Sequence, residues 1–334
     1  MSIVVIGTVF VDIKGYPENT FLPGGRNAGQ VKQVFGGVSR NIVEDIGNLE
    51  LNPTFVGLVD PTGTGREVAE QLNRHKVDTR YMRAVPDGMG TWLAIFQNNG
   101  DVFGAISKRP DLMPILSILE EQGDEIFAQA DAVTIELDME AAVVKKVFEL
   151  AEQYRRPVFA AVSNMSIASR RRDFLRSLDC FVCNQQEAGI CFSEDYSSKT
   201  PEEMLEILRR NISSAGIRRM VVTMGEYGAV YASLDGEAGI CPARKVIVKD
   251  TTGAGDAFFA GVTAGLTYGK SLADACAIGT RLSASVITSE GNTCPRFMPQ
   301  EFGLNVSQAQ SRSFNRSGCS VLSGAKCLEI AAGI

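Results

Sequence analysis

The chain has 334 residues, 45% hydrophobic and 22% charged, values of an ordinary globular protein that exclude a largely disordered one. That length holds one large α/β domain or two small ones, with an ample core either way. The formal charge of −6 excludes a general pull toward nucleic acid or anionic membrane, so a phosphate site has to be built locally.

Met1 leads directly into the apolar run Ile3 to Ile6, with no signal-peptide pattern, and no later apolar run reaches the roughly 18 residues of a membrane span. A cytoplasmic protein is expected. Short apolar runs return at Thr54 to Val59, Ala132 to Leu137, Pro157 to Val162, Cys180 to Cys183 and Met220 to Thr223. Continuous runs of this kind suit strands covered on both faces. Between them, Asn41 to Leu49, Gly65 to Arg74, Met139 to Tyr154, Ser166 to Ser177 and Pro201 to Ala215 carry helical periodicity. The alternation predicts βαβ units: an α/β fold with a central, mostly parallel sheet and helices on both sides.

Two stretches break the rhythm. Ile13 to Phe35 is rich in Gly and Pro, and Thr91 to Ile106 reads as two strands joined at Asn98-Asn99-Gly100, a hairpin signal. They predict either a small β-sheet lid over one edge of the main domain (segments 13–35 and 91–106) or two unrelated surface loops. From about Asn305 the composition shifts to Ser, Arg, Asn, Gln and Gly without periodicity. The expected division is a domain over 1–303 and a tail over 304–334, in which Cys327 to Ile330 is an apolar segment able to dock.

The eight cysteines are scattered, and the Cys180/Cys183 pair lies inside a strand-like run with no second pair beside it, which favours core packing over a metal or redox role. His75 is the single histidine, so acid–base work falls to carboxylates.

The most informative stretch is Asp250-Thr251-Thr252-Gly253-Ala254-Gly255-Asp256-Ala257-Phe258-Phe259. Two glycines let the backbone turn sharply, and a helix pattern begins near Asp256. Amides of Gly253 to Asp256 would then point out of a helix N-terminus, where an anion is favoured. Asp256 is either a chemical group there or a carboxylate that compensates the helix dipole.

This string resembles, nearly residue for residue, the second signature of the ribokinase-like (PfkB) carbohydrate kinase family. The resemblance implies that Asp256 is the general base and that Gly253, Ala254 and Gly255 form the anion hole. Gly36-Gly37-Val38-Ser39-Arg40-Asn41 is similar to the first signature, which implies Gly37 and Asn41 at the acceptor hydroxyls; Gly7 and Asp12 match the family's early Gly and its substrate-binding Asp. Read alone, Asp12 is a loop-start residue and Asn41 an N-cap. Asn184-Gln185-Gln186-Glu187 matches an Asn-x-x-Glu motif, implying a nucleotide contact by Asn184 and Mg²⁺ held through water by Asn184 and Glu187; read alone, Glu187 is an exposed first-turn carboxylate. Val221 to Gly228 resembles the turn at the nucleotide phosphates, carrying Thr223, Gly225 and Gly228. Glu136 falls where the family has a substrate-side polar residue. Asp250 and Thr252 match a monovalent-cation (K⁺) site of some relatives, or are simply strand-end and turn residues.

The resemblance runs from about Ile3 to Met298 and implies a ribokinase-like fold. Val11-Asp12-Ile13-Lys14-Gly15-Tyr16, Pro23-Gly24 and Gly36 to Ile42 look most like pseudouridine kinases within the family, with Arg40 the telling residue. Its guanidinium offers five donors to a carbonyl-rich or phosphate group, or pairs with an acidic neighbour. Glu50 stands where the family ends a helix with Gly, Thr280 near a frequent Asn, and Ser107 to Leu112 lacks the small residues expected under a nucleoside. The reading is an ATP-dependent kinase of a sugar or nucleoside hydroxyl, the 5′-hydroxyl of pseudouridine among the acceptors, with Mg²⁺ as cofactor. Ribose or hexose phosphorylation and a non-catalytic ligand sensor are the alternatives. A dehydrogenase is set aside, because no Gly-x-Gly-x-x-Gly follows the first strand. Exposed lid strands imply a homodimer.

Overall fold

The computed structural model describes residues 1–97 and 102–305. In chain order, β1 (Ile3–Gly7), β2 (Phe10–Pro17) and β3 (Gly29–Gly36) lead to α1 (Val38–Asn48), then β4 (Thr54–Val59), α2 (Gly63–Arg74), β5 (Asp78–Ala84), β6 (Gly90–Phe96) and β7 (Val102–Lys108). There follow α3 (Met113–Gln129), β8 (Ala132–Glu136), α4 (Ala141–Tyr154), β9 (Val158–Ala161), α5 (Met165–Ala168), β10 (Cys180–Asn184), α6 (Gln185–Phe192) and α7 (Pro201–Ala215). The last third supplies β11 (Arg219–Thr223), β12 (Ala229–Ser233), β13 (Ala238–Cys241), α8 (Ala254–Thr267) and α9 (Leu272–Ile287).

The main sheet has nine strands in the order β13-β12-β11-β10-β9-β8-β1-β4-β5, parallel except for β12 and β13. Its buried runs are the apolar runs of the sequence: β1, β8 and β9 are buried at every position. One face packs on α3, α4, α6 and α7, the other on α1, α2, α8 and α9. Cys180 and Cys183 divide between these two cores, because neighbouring strand residues alternate faces, so they do not converge on one ion.

The two irregular stretches pair with each other as expected, into a four-stranded sheet of order β3-β2-β6-β7. It is antiparallel except for the β2–β6 pair, and its strands begin at Phe10 and Gly90, earlier than their sequence reading. The proposed Asn98-Asn99-Gly100 turn lies outside the described residues, as does the Cys327 to Ile330 segment.

Other boundaries shift for local reasons. Ser166 to Ser177 is not one helix but the single turn α5 and a 3₁₀ run over Ser169–Ser177, since the Ser-Arg-Arg-Arg-Asp string has no apolar stripe to bury. Strand β5 escapes a search for apolar runs because it is an edge strand bearing Asp78, Arg80 and Arg83. Glu50, where the family has Gly, adopts φ +59°, the left-handed conformation that glycine takes without strain, and its carboxylate is paired with Lys76.

Candidate active site

The candidate residues collect at the C-terminal ends of the parallel strands, where open α/β sheets bind ligands. The chain enters the sheet at β1, which has β8 on one side and β4 on the other. At that junction Glu136, the last residue of β8, accepts from the Thr8 amide (2.8 Å), the Thr8 hydroxyl (2.7 Å) and the Ser39 amide (3.2 Å) through Oε1. It ties the end of β1 to the start of α1. A Cβ on Gly7 would lie 2.1 Å from Ser39 Oγ and 2.7 Å from Glu136 Oε1, so the junction admits only glycine. Glu136 is 0% exposed; burial raises its carboxyl above the usual range, with the charge of Asp138 adding to it. Its Oε1 is thus engaged by the scaffold, while its buried Oε2 has no hydrogen-bond partner among the described residues.

Asp12 projects from β2 against β3, where a Cβ on Gly36 would meet its Oδ2 at 2.6 Å. Gly37 takes φ +100° and packs on the backbone of Thr8 to Phe10, and α1 springs from it. Asn41 is thus inside α1 and is not its cap. Its Nδ2 donates to Asp256 Oδ2 at 2.7 Å, while its Oδ1 accepts from Arg40 Nη1 (2.9 Å) and Asn292 Nδ2 (3.2 Å). Those two donors leave the amide only one orientation, the one that faces Asp256.

Arg40 is 1% exposed, its Nη2 is paired with Glu44, and its Nη1 also donates to the Phe35 carbonyl at 3.0 Å. Both terminal nitrogens are thus engaged inside the protein, the pairing with an acidic neighbour that the sequence also allows, and Arg40 bears on the site through Asn41. Asn292 escaped the sequence reading because it sits in a Ser/Gly/Thr loop without a motif; besides Asn41 it binds the Phe35 carbonyl at 2.8 Å.

Gly253 is the N-cap of α8 at φ +81°, and a Cβ there would lie 2.0 Å from the Asn292 carbonyl oxygen. The Ala254 amide donates to the Thr251 carbonyl at 3.2 Å, which removes it from the anion hole assigned to it. The amides of Gly255 and Asp256 have no acceptor among the described residues, and nothing lies within 4 Å of where a Gly255 Cβ would stand. Asp256 is half-buried but closely surrounded. Lost hydration, then the negative charges of Glu136 and Asp12, push its carboxyl up to about 7 against the opposing Asn41 hydrogen bond and Arg40 charge.

Beside α8 a cleft is lined by Thr223, Gly225 and Gly228 from the end of β11, Ala254 and Gly255, with an apolar wall of Phe258, Ala284 and Ile287. Thr280 lines it too and meets Cys241 Sγ at 3.3 Å. Asn184 and Glu187 form a reciprocal capping box at the start of α6, Asn184 Oδ1 accepting from the Glu187 amide and Glu187 Oε2 from the Asn184 amide, each at 2.8 Å. Glu187 Oε1 stays outside the box. Burial raises this carboxyl, Asp138 adds to the effect, and no basic side chain pairs with it among the described residues, a donor set that fits a hydrated divalent ion. Asp250 accepts from the Thr252 amide at 2.8 Å; partial burial opposes ionisation, but the Thr252 bonds and Lys14 outweigh it and hold the carboxyl below its usual range.

The lid adds a feature that no motif signals. Strand alternation places Asp12, Lys14 and Tyr16 on one face of β2, with register partners Trp92 and Ala94 on β6. On the same face Tyr16 stacks on Phe96 (centroids 4.9 Å, 17°), and Phe96 meets Trp92 edge-on (6.2 Å, 82°). The other face carries exposed Val31, Leu93 and Ile106.

A family model described as pfkB family carbohydrate kinase matches residues 1–296. A guanosine-inosine kinase of Exiguobacterium acetylicum is 33% identical over 293 residues, covering 87% of this chain and 96% of that one. A pseudouridine kinase of Escherichia coli is 24% identical, covering 88% and 92%. The structure of Arabidopsis thaliana ribokinase complexed with ribose and ATP superposes with a TM-score of 0.78 at 20% identity, over 90% of this chain and 97% of that one, so the fold is ribokinase-like.

Proposed function

As a member of the pfkB family of carbohydrate kinases this chain is a sugar or nucleoside kinase, and we propose that it transfers the γ-phosphate of ATP to a hydroxyl of a nucleoside. The observation that carries the reaction is the Asp256 carboxylate, oriented by Asn41 and titrating near neutrality, at a helix N-terminus whose Gly255 and Asp256 amides are unfilled. Asp256 takes the proton of the acceptor hydroxyl, the freed oxygen attacks the γ-phosphorus in line, and those amides hold the charge spreading over the phosphoryl oxygens. Asp12 and Asn41 orient the acceptor, with Gly37 letting the backbone come close. Thr223, Gly225 and Gly228 border the phosphates, and the apolar cleft wall receives the adenine. Asn184 and Glu187 would hold Mg²⁺ through water, which would neutralise triphosphate charge, and Asp250 with Thr252 would offer a K⁺ seat.

A nucleoside, rather than a bare sugar, is favoured by the aromatic trio Tyr16, Phe96 and Trp92 on the same lid face as Asp12. Rings gathered above the acceptor hydroxyls suit a flat base. The guanosine-inosine kinase at 33% identity moves the acceptor toward a purine nucleoside; the E. coli relative and the Val11 to Tyr16 motif keep pseudouridine as the second reading. We also propose a homodimer paired through the exposed apolar lid face, working in the cytoplasm where ATP is made.

Measuring ADP release with guanosine, inosine, pseudouridine, ribose and a hexose tests this. Purine nucleosides should turn over fastest. Turnover of ribose or hexose alone removes the nucleoside reading and keeps the kinase; ligand binding without ADP from any of them leaves a sensor.

A further inference from the structure

Lys14 is a buried cation with no direct ion pair among the described residues. It sits two residues beyond Asp12 on the cleft face of β2, and only 7% of it is exposed. Its register partners are Lys32 on β3 and Ala94 on β6, so neither neighbouring strand sets an acidic side chain opposite it. Among the described residues its ammonium makes neither a hydrogen bond nor an ion pair. Two carboxylates lie within reach of its charge, Asp12 on the acceptor side and Asp250 in the loop that leads into the α8 turn. Lys32 adds a second positive charge across the strand, its Nζ lying 5.7 Å from the centre of the Tyr16 ring.

Withdrawing an ammonium from water without pairing it destabilises a fold, and replacing it by an apolar side chain of similar length is commonly neutral or favourable. Lys14 caps no helix and links no strands through its head group. Asp250, which its charge reaches, lies in the loop leading into the α8 turn, so an anion held by the open amides of Gly255 and Asp256 would approach the ammonium from that side.

We propose that Lys14 is a phosphate ligand carried by the lid, its ammonium contacting the γ-phosphoryl group of the donor during transfer and completing the cradle begun by the α8 amides. This rests on the reading of ATP as phosphoryl donor. In the step, the bond from γ-phosphorus to the ADP oxygen breaks as the bond to the acceptor oxygen forms, the acceptor proton passes to Asp256, and Lys14 keeps its protons.

The test compares the full-length protein with Lys14→Met and Lys14→Arg, using calorimetric binding of ADP and of a non-hydrolysable ATP analogue, with thermal unfolding in parallel. Lys14→Met should lose about tenfold or more in affinity for the analogue while ADP binding stays within about twofold, and Lys14→Arg should keep most of the preference. With an acceptor that turns over, kcat of Lys14→Met should fall about 100-fold and the acceptor KM should move less than about threefold. Equal weakening of ADP and the analogue, no change in either, a wild type without preference for the triphosphate, or a loss confined to acceptor KM each overturns the proposal. The binding comparison needs no acceptor, so failure of the nucleoside reading and failure of the Lys14 assignment are separately visible.

Discussion

Asp256 is a carboxylate placed where its own charge is costly. Burial and the neighbouring Glu136 and Asp12 raise its carboxyl from 3.8 to about 7, so kcat/KM should climb tenfold per pH unit below about 7 and level above it. A profile flat from pH 5 to 8 would exclude it as the base. Asp256→Asn keeps an acceptor for Asn41 and should cut kcat by roughly 10³-fold or more. The linkage has a definite sign. Between about pH 4 and 7 the folded state binds more protons than the unfolded one, so the wild type loses stability as pH rises through that window. The variant should therefore be more stable at pH 8 by very roughly 1–3 kcal/mol and no different below pH 4, measured by urea unfolding. Asp256 was legible because it stands inside a contiguous motif. Arg40 stands in the same kind of string, but its Glu44 partner one turn on competes with any ligand for the buried guanidinium, a competition that the string does not record.

At the scale of elements, the start of α8 and the lid decide what the residues can do. Gly253 and Gly255 look alike in sequence and differ in space: one has φ +81° with the Asn292 carbonyl 2.0 Å from a Cβ position, the other has an open Cβ position. Gly253→Ala should cost about 2–4 kcal/mol of stability, since both the backbone and the Asn292 loop must yield. Gly255→Ala should fold as well as the wild type, within about 1 kcal/mol, yet lose turnover because its methyl intrudes where a phosphate approaches. Urea unfolding and turnover on the two variants separate the roles; equal stability losses would undo the distinction. The lid shows the same logic. Its period of two was readable, but that one face gathers Asp12, Lys14 and the aromatic trio depends on the β2–β6 register, which joins strands separated by more than 70 residues.

The whole molecule is a sheet covered on both faces, with the candidate site at the C-terminal ends of its parallel strands and an apolar surface on the smaller sheet. Exposed Val31, Leu93 and Ile106 share the face turned away from Asp12 and Lys14, and an exposed apolar face of this kind invites a second copy. Sedimentation at micromolar concentration should show a dimer that Ile106→Asp converts largely to monomer; a wild type that runs only as monomer would end the idea.

Local pattern determined what local pattern can. Apolar runs with helical spacing between them specify strands and helices of a parallel sheet, because period and burial are written residue by residue, and the Gly253 to Asp256 turn announces an anion site because backbone freedom and helix onset are adjacent in the chain. Tertiary structure decided which polar groups remain available. Glu136 Oε1 and both Arg40 Nη groups were drawn into the scaffold, Asn292 was recruited to Asn41 across 251 residues, and Lys14 was buried without a direct ion pair among the described residues. Those outcomes turn on competition among groups brought together only by folding, and no string of neighbours records who else will be present.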